Sequence, residues 1–313
     1  MQNCKICPFE CGVDRAGFDG IAKIGVCGLP SKLLVSHYQQ HFFEEPMISG
    51  NNDFCDSGSL VTRRGGSGAI FFTGCNGQCV FCQNYEISQK EMWSKRPLKE
   101  LSEEGLFDIC RELIDKGVHN INFVSPTPYT TLLCDFLKKY KARLGVPVVW
   151  NSNGYEKAST LRELSGLVDV YLPDLKYFDD SIAVEFSKMP KYFAWASEAV
   201  REMVSQVGEP KIGEDGFIQS GVVIRHLVLP GCVEDSKKIL KWIMDEFGKD
   251  AYVALMAQYY PTYRAKNCSF GQLKRRLTAD EYDEIGDYFL SLGFEDGLMQ
   301  ELSSAKEEYT PKF

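Results

Sequence analysis

The 313-residue chain has no uninterrupted apolar run of membrane-spanning length, which takes about 20 residues, so no membrane-embedded role is expected. Its start, Met1-Gln2-Asn3-Cys4, lacks the cationic stretch and apolar core of a secretory leader, and a cytoplasmic protein is expected. Cations are in deficit, 35 Lys and Arg against 43 Asp and Glu for a net charge of −8. A broad nucleic-acid surface, which needs basic residues to displace counterions, is therefore not expected. Low-complexity tracts are absent as well. The 44% hydrophobic and 25% charged residues are those of an ordinary globular protein, long enough for one large α/β core with small appendages.

What the chain has in quantity is cysteine, twelve in all, unevenly placed. Cys4, Cys7, Cys11 and Cys27 crowd the first segment, and Cys75, Cys79 and Cys82 share one short loop. Cys55, Cys110, Cys134, Cys232 and Cys268 are scattered. In a cytosolic chain of this size, clustered cysteines bind metal more often than they form disulfides. Cys110, Cys134 and Cys232 read as small buried hydrophobes, while Cys268 lies in a polar stretch near Arg264 and Lys266.

Past the first segment, short apolar strands alternate with amphipathic helices. Ala69–Thr73 reads as a buried strand ending at Gly74-Cys75. Ser102 to Lys116 has helical spacing with acidic residues in its first turn, where they suit the dipole, and Gly117 ends it. Strands are expected at His119–Val124, Pro147–Trp150, Val168–Leu172, Val222–Val228 and Tyr252–Met256, with helices near Thr131–Arg143 and Ser159–Leu164. A capping box, Thr278-Ala279-Asp280-Glu281, opens the last helix, and Gly297–Gln300 offers one more strand.

Repeated strand–helix units predict a parallel sheet with right-handed crossovers. A doubly wound sheet and a barrel both satisfy that pattern. The polar and glycine-rich residues favour the barrel, because they follow the strands: Ser125-Pro126-Thr127, Asn151-Ser152-Asn153-Gly154, Pro173-Asp174-Leu175-Lys176 and Gln258-Tyr259-Tyr260. Strand C-terminal ends share one mouth in a barrel. The expected fold is α/β, a partial (β/α)6-type TIM-like barrel (residues 67–313) with a Cys-rich N-terminal extension (1–66) that holds a candidate metal site and a polar insertion.

The chemistry centres on Cys75-Asn76-Gly77-Gln78-Cys79-Val80-Phe81-Cys82, a CxxxCxxC loop directly after a buried strand. An iron–sulfur cluster normally takes four thiolates. Three in one loop leave one iron open for another ligand, as a catalytic metal requires. Zinc with a fourth ligand from elsewhere is the plainer alternative. The loop resembles the cluster motif of the radical S-adenosylmethionine (SAM) superfamily, down to the aromatic Phe81 before the third cysteine. The resemblance implies a [4Fe–4S] cluster on Cys75, Cys79 and Cys82, with SAM chelated at the open iron. It also implies one-electron cleavage of SAM to methionine and a 5′-deoxyadenosyl radical, which takes hydrogen from a substrate.

The likeness extends over nearly the whole chain and narrows to the branch of pyruvate formate-lyase activating enzymes. Cys82-Gln83-Asn84 is similar to the segment after the third cysteine there. Asp174-Leu175-Lys176 is similar to that branch's Asp-x-Lys, implying contacts to SAM, and Asn151-Ser152-Asn153-Gly154 stands where its Asn-Gly turn lies near the SAM ribose. Arg225 occupies the place of an arginine implied to hold the SAM carboxylate. One departure concerns the SAM amino group, held in that branch by Gly-Gly-Glu after the second strand. Here Val124-Ser125-Pro126-Thr127-Pro128 replaces it, leaving Ser125 and Thr127 as weaker acceptors than a carboxylate. A second departure is Gly50–Gly66, containing Cys55 and Arg63-Arg64, read as a polar surface loop. His226, beside Arg225 on its strand, points to the opposite face and reads as a satisfied histidine.

Cys4, Cys7, Cys11 and Cys27 supply four thiolates, enough to close a structural zinc site or to hold a second [4Fe–4S] cluster. The leading functional expectation is an anaerobic, oxidoreductase-class activase that takes hydrogen from a glycyl-radical enzyme, with flavodoxin or ferredoxin as electron donor. Alternatives are radical chemistry on a small molecule or an RNA nucleotide, and an iron–sulfur protein that only transfers electrons.

Overall fold

The computed structural model describes residues 2–16, 25–50, 65–96, 98–305 and 313. Cys55, Arg63 and Arg64 of the expected insertion lie outside them. The chain enters the sheet at β1 (Leu33–His41), passes through the single turn α1 (Pro46–Ser49) and returns in β2 (Ser67–Phe72). Two short helices, α2 (Tyr85–Ser88) and α3 (Lys90–Trp93), then lead to β3 (Glu100–Leu101). From there helix and strand alternate: α4 (Glu103–Asp115), β4 (Ile121–Val124), α5 (Thr130–Leu144), β5 (Val148–Ser152), α6 (Ala158–Leu161) and β6 (Val170–Pro173). Two helices, α7 (Asp180–Ser187) and α8 (Tyr192–Val207), precede the hairpin β7 (Lys211–Ile212) and β8 (Ile218–Leu227). The series ends with α9 (Val233–Phe247), β9 (Tyr252–Met256), α10 (Ala279–Leu292) and β10 (Gly297–Met299).

The sheet order is β10-β9-β8-β6-β5-β4-β2-β1-β3. The members from β10 to β2 run parallel, and β1 crosses back antiparallel to β2. Among the described residues β10 and β2 do not pair, so the fold is a partial, unclosed (β/α) barrel. The residues expected to follow one another as strands do so because each is a short apolar run buried on both faces. Ser102 caps α4 by accepting from Gly105 N–H, and the Thr278/Glu281 capping box opens α10 as expected.

Three differences from the sequence reading have local causes. Strand β8 begins at Ile218 rather than Val222: Gly221, at φ +130°, lies so close to Pro210 that a Cβ would sit 2.4 Å from its Cα. The expected helix at 159–164 is α6 followed by a 3-10 turn at Arg162–Leu164. Strand β1, not anticipated, belongs to the segment expected as the N-terminal extension yet pairs with β2, Tyr38 opposite Ile70.

Outward-facing strand residues such as Phe72, Phe123, Trp150 and Tyr171 pack beneath the helices in the main core. The inward faces form layers. At the N-terminal end, α1 inserts Met47 and Ile48 against Val149, Val170, Leu172, Val223 and Ala254. Burying two such side chains contributes about 3–6 kcal/mol, so the barrel is plugged at that end. One inward step along the strands, two residues on, the lining turns polar at Asn151, Asp174 and Arg225.

Candidate active site

The cysteine loop leaves the C-terminal end of β2 through Gly74, whose φ of +76° and contact with Leu29 leave no room for a side chain. Backbone bonds hold the loop from both sides: Val80 N–H donates to Phe186 at 2.9 Å, Gln78 N–H to Ser187 at 3.1 Å, and Ala265 N–H to Val80 at 2.8 Å. Asn76 ties it to the next wall, donating to the Tyr155 carbonyl at 2.8 Å.

All three sulfurs have polar partners. Cys75 Sγ accepts from Gly77 N–H and from Asn153 Nδ2, each at 3.3 Å. Ser187 Oγ donates to Cys79 Sγ at 2.9 Å, and Ser88 Oγ lies 3.1 Å from Cys82 Sγ. As free thiols they are hard to ionise. Burial pushes Cys75 up to about 11 and Cys82 up to about 12, and raises Cys79 as well, against the pull of Lys176. A bound cationic centre reverses that penalty.

The three cysteines and Phe81 line one cavity of about 180 Å³. Around it lie Asn84, at the start of α2, and from the strand ends Ser125, Asn151, Ser152 and Asn153, and then Asp174 and Lys176. Lys176 Nζ donates to Asp174 Oδ2 at 2.6 Å. Burial opposes its charge, but Asp174 and the nearby Cys79 raise its pKa overall. Ser125 is held at φ +58°, a conformation costing a non-glycine residue about 1 kcal/mol or more. The turn at Asn153-Gly154 is fixed by Tyr192, whose hydroxyl accepts from Lys176 N–H at 2.9 Å and lies 2.9 Å and 2.7 Å from the Asn153 and Asp174 carbonyls. Gly154, at φ +72°, sits so near Asp174 that a Cβ would be 2.4 Å from its carbonyl oxygen.

Two expected residues are placed elsewhere. Thr127 is buried with its hydroxyl donating to Glu156 at 2.9 Å, so it does not face the cavity. Glu156 also accepts from Trp150 Nε1 at 3.0 Å and Ser152 Oγ at 2.5 Å, and burial raises its pKa. Sequence reading missed Glu156 and Tyr192, whose partners come from other strands and helices. Arg225 lines an adjoining cavity, also of about 180 Å³, which shares Asn84, Asn151 and Asp174 with the first. Its Nε donates to Glu45 Oε1 at 2.8 Å, and its Nη2 to Glu45 Oε2 and Glu44 Oε2, each at 2.5 Å. Two carboxylates thus already engage the guanidinium implied to bind that of SAM.

Burial works against the Glu44 charge, yet Arg225 beside it holds its carboxyl below the usual range. His41 lines the same cavity, its pKa lowered chiefly by burial. His226 is fully buried, its Nδ1 2.7 Å from the Leu175 carbonyl and its Nε2 2.8 Å from Ser236 Oγ, and burial lowers its pKa to about 4.

The N-terminal cysteines meet against the barrel wall. Cys4 N–H donates to Val13 and Gly12 N–H to Cys4, and Gly12 and Gly28 take positive φ directly after Cys11 and Cys27. Burial pushes the Cys7 thiol up to about 12, with Cys27, Cys4 and Cys11 adding to the rise. Arg15 pins the segment, donating to the Leu29, Pro30 and Pro128 carbonyls at 3.1, 2.8 and 2.6 Å. Among the described residues, no three His, Cys, Asp or Glu side chains stand closed as ligands of a single ion. Cys110, Cys134 and Cys232 are buried, as small hydrophobes are.

The unclosed (β/α) barrel thus carries three cysteines in the loop after its first parallel strand, a donor set of the kind that holds iron–sulfur clusters. The sequence profile of the Radical SAM superfamily matches residues 69–243, and this chain belongs to that superfamily. An uncharacterized protein of Methanocaldococcus jannaschii is 29% identical over 287 residues, covering 91% of this chain and 73% of that one. SuiB of Streptococcus suis, bound to the precursor peptide SuiA, has a similar fold with a TM-score of 0.50 at 14% identity, over 74% of this chain and 48% of SuiB. This chain thus spans about half the matched SuiB length. A domain of pyruvate-formate lyase-activating enzyme from Bacteroides vulgatus matches 58% of this chain and 98% of its own, with a TM-score of 0.41 and 13% identity. Membership implies a [4Fe–4S] cluster, SAM and an enzymatic role. The donor set fits a cluster: three thiols with polar partners share one cavity beside a buried lysine. Among the described residues no helix is long and apolar enough to cross a membrane.

Proposed function

We propose that the protein is a radical SAM enzyme acting on a small polar molecule held inside the barrel. Cys75, Cys79 and Cys82 would hold the cluster, and Phe81, Asn84, Ser125, Asn151, Ser152, Asn153, Asp174 and Lys176 would surround SAM beside it. When bound, the cluster would supply the electron that breaks the C5′–S bond of SAM, releasing methionine and a 5′-deoxyadenosyl radical able to take hydrogen from a substrate. The observation that carries this reading is the shared wall of the two cavities. It sets the polar cavity of His41, Glu44 and Arg225 beside that of the cysteine loop, above a plugged barrel end.

The chain's own residues have positioning tasks. Asn153, Gly77 and Ser187 donate to sulfur, which disperses thiolate charge. Lys176 adds a cation near the three sulfurs, and Tyr192 locks the Asn153 turn to the Asp174 segment. Cys4, Cys7, Cys11 and Cys27 would hold zinc or a second cluster. A second reading, activation of a glycyl-radical enzyme, draws on the Asp174-Leu175-Lys176 and Cys82-Gln83-Asn84 likeness, and a flavodoxin or ferredoxin would serve either as donor.

The test is anaerobic. Protein reconstituted with iron and sulfide and reduced with dithionite is given SAM and assayed for 5′-deoxyadenosine, with and without the small-molecule and protein fractions of a cell extract. Wild type should form product that C75A/C79A/C82A does not, and the small-molecule fraction should stimulate it. Stimulation by the protein fraction alone would favour the activase. No product from a reduced, SAM-bound cluster with either fraction would refute both. Metal content of C4S/C7S against wild type reports on the N-terminal site.

A further inference from the structure

Charge on this acidic chain is concentrated in an unexpected place. Tyr85–Arg96 and Thr262–Arg276 together hold eight of the 35 Lys and Arg but two of the 43 Asp and Glu. All eight cations are exposed. The two segments meet in space: Tyr85 and Tyr263 stack with ring centres 4.9 Å apart and planes 13° apart, and Glu91 accepts from both Tyr263 and Arg264. Between them lies an open depression of about 670 Å³, walled by Tyr85, Met92, Tyr263, Arg264 and Lys266. Its floor includes Val80, the residue after Cys79, whose carbonyl accepts from Ala265 N–H at 2.8 Å. The patch is therefore the outer side of the cysteine loop, opposite the cavity. Arg96, Arg264 and Arg275 are paired with Glu86, Glu91 and Glu281, and Lys95 lies in the field of Glu91, whereas Lys266 and Lys274 form no salt bridge among the described residues.

We propose that this patch is the docking site of an acidic one-electron carrier protein. The inference rests on the reading that the loop holds a redox cluster. Reductive cleavage of one SAM consumes one electron, which must come from outside the chain. Electron transfer falls steeply with distance, so a carrier has to rest against the cluster loop, and the cavity side is reserved for SAM. Of the two sides of the loop, the outer one is exposed and cationic. A carrier with a negative face would be steered there by the field of the patch. A nucleic acid would also be attracted by cations, but it has no reason to seat behind the cysteines.

The test uses K95E/K266E/K274E, three exposed residues outside the cysteine-loop cavity. Binding of reduced flavodoxin and of reduced ferredoxin is measured separately at 50 and 300 mM salt, for wild type and variant. Wild type should bind at least one carrier about tenfold more weakly at the higher salt, and the variant about tenfold more weakly than wild type at the lower. Carrier-driven 5′-deoxyadenosine formation should fall in step, while dithionite-driven formation stays unchanged. Equal carrier affinity in wild type and variant, or no binding of either carrier by wild type, would overturn the proposal. So would a single-stranded RNA that binds wild type and is lost from the variant while carrier binding is untouched. Failure of the dithionite reaction in wild type would instead sink the radical SAM reading, with the binding results still deciding the patch.

Discussion

Replacing Arg225 by Met tests the charged floor of the inner chamber. In the native protein the guanidinium is 6% exposed and meets Glu44 and Glu45, themselves 11% and 3% exposed, through three hydrogen bonds. Met fills the same space without charge, leaving two carboxylates facing each other in the barrel interior. Removing one partner of a buried ion pair costs about 3–5 kcal/mol, because the other charge remains uncompensated. Arg225→Met should therefore lose about 4 kcal/mol at pH 8. The sign of its pH dependence follows from Glu44. Arg225 now holds that carboxyl below the usual range; without the cation, burial and Glu45 would raise it above its unfolded value. A raised folded pKa contributes stability at low pH that is lost as pH rises, so the deficit relative to wild type should shrink between pH 8 and pH 5. E44Q/E45Q/R225M should recover much of the loss at pH 8, since a neutral trio leaves no buried charge. Guanidinium unfolding of the cluster-free protein, followed through the fully buried Trp150, gives the differences. A variant as stable as wild type at pH 8, or one whose deficit ignores pH, would refute the argument.

Gly154→Ala should cost about 2 kcal/mol or more and weaken SAM binding, since a Cβ would meet the Asp174 carbonyl at 2.4 Å where φ is +72°; equilibrium dialysis with labelled SAM and thermal melts check both. His226 charges in the unfolded chain near pH 6.5 but in the fold only at about 4, so the folded state binds fewer protons in that window. Stability should fall as pH drops from 6.5 to 4, by up to about 3 kcal/mol, and His226→Gln, titrated in parallel, should lack that slope.

The repeating strands were legible because each is a brief apolar run bounded by Gly, Pro, Asn or Asp, and the polar residues after them gather where a barrel mouth requires. Strand β1 was not legible: only Leu33, Leu34 and Val35 are fully buried, and the rest of its length lacks a two-residue alternation. The cysteine loop could be read because its meaning is contained in eight consecutive residues. Arg225 could not, since its engagement depends on Glu44 and Glu45, about 180 positions earlier. Thr127 and Glu156 failed for the same reason. The distance that matters is the one across the barrel, which the order of residues does not carry.

An unclosed sheet has two edges, and each exposes backbone groups able to recruit a strand from another molecule. Here the two differ in length. The antiparallel β1 covers β2 and is itself bordered by the two residues of β3, and the other edge is the three-residue β10. On the β10 side three residues are offered, whereas β3 pairs only Leu33 and Leu34 of the nine-residue β1. The lateral gap is therefore bordered on one side by a three-residue strand, and among the described residues the length of β1 past Val35 is where a foreign strand would add.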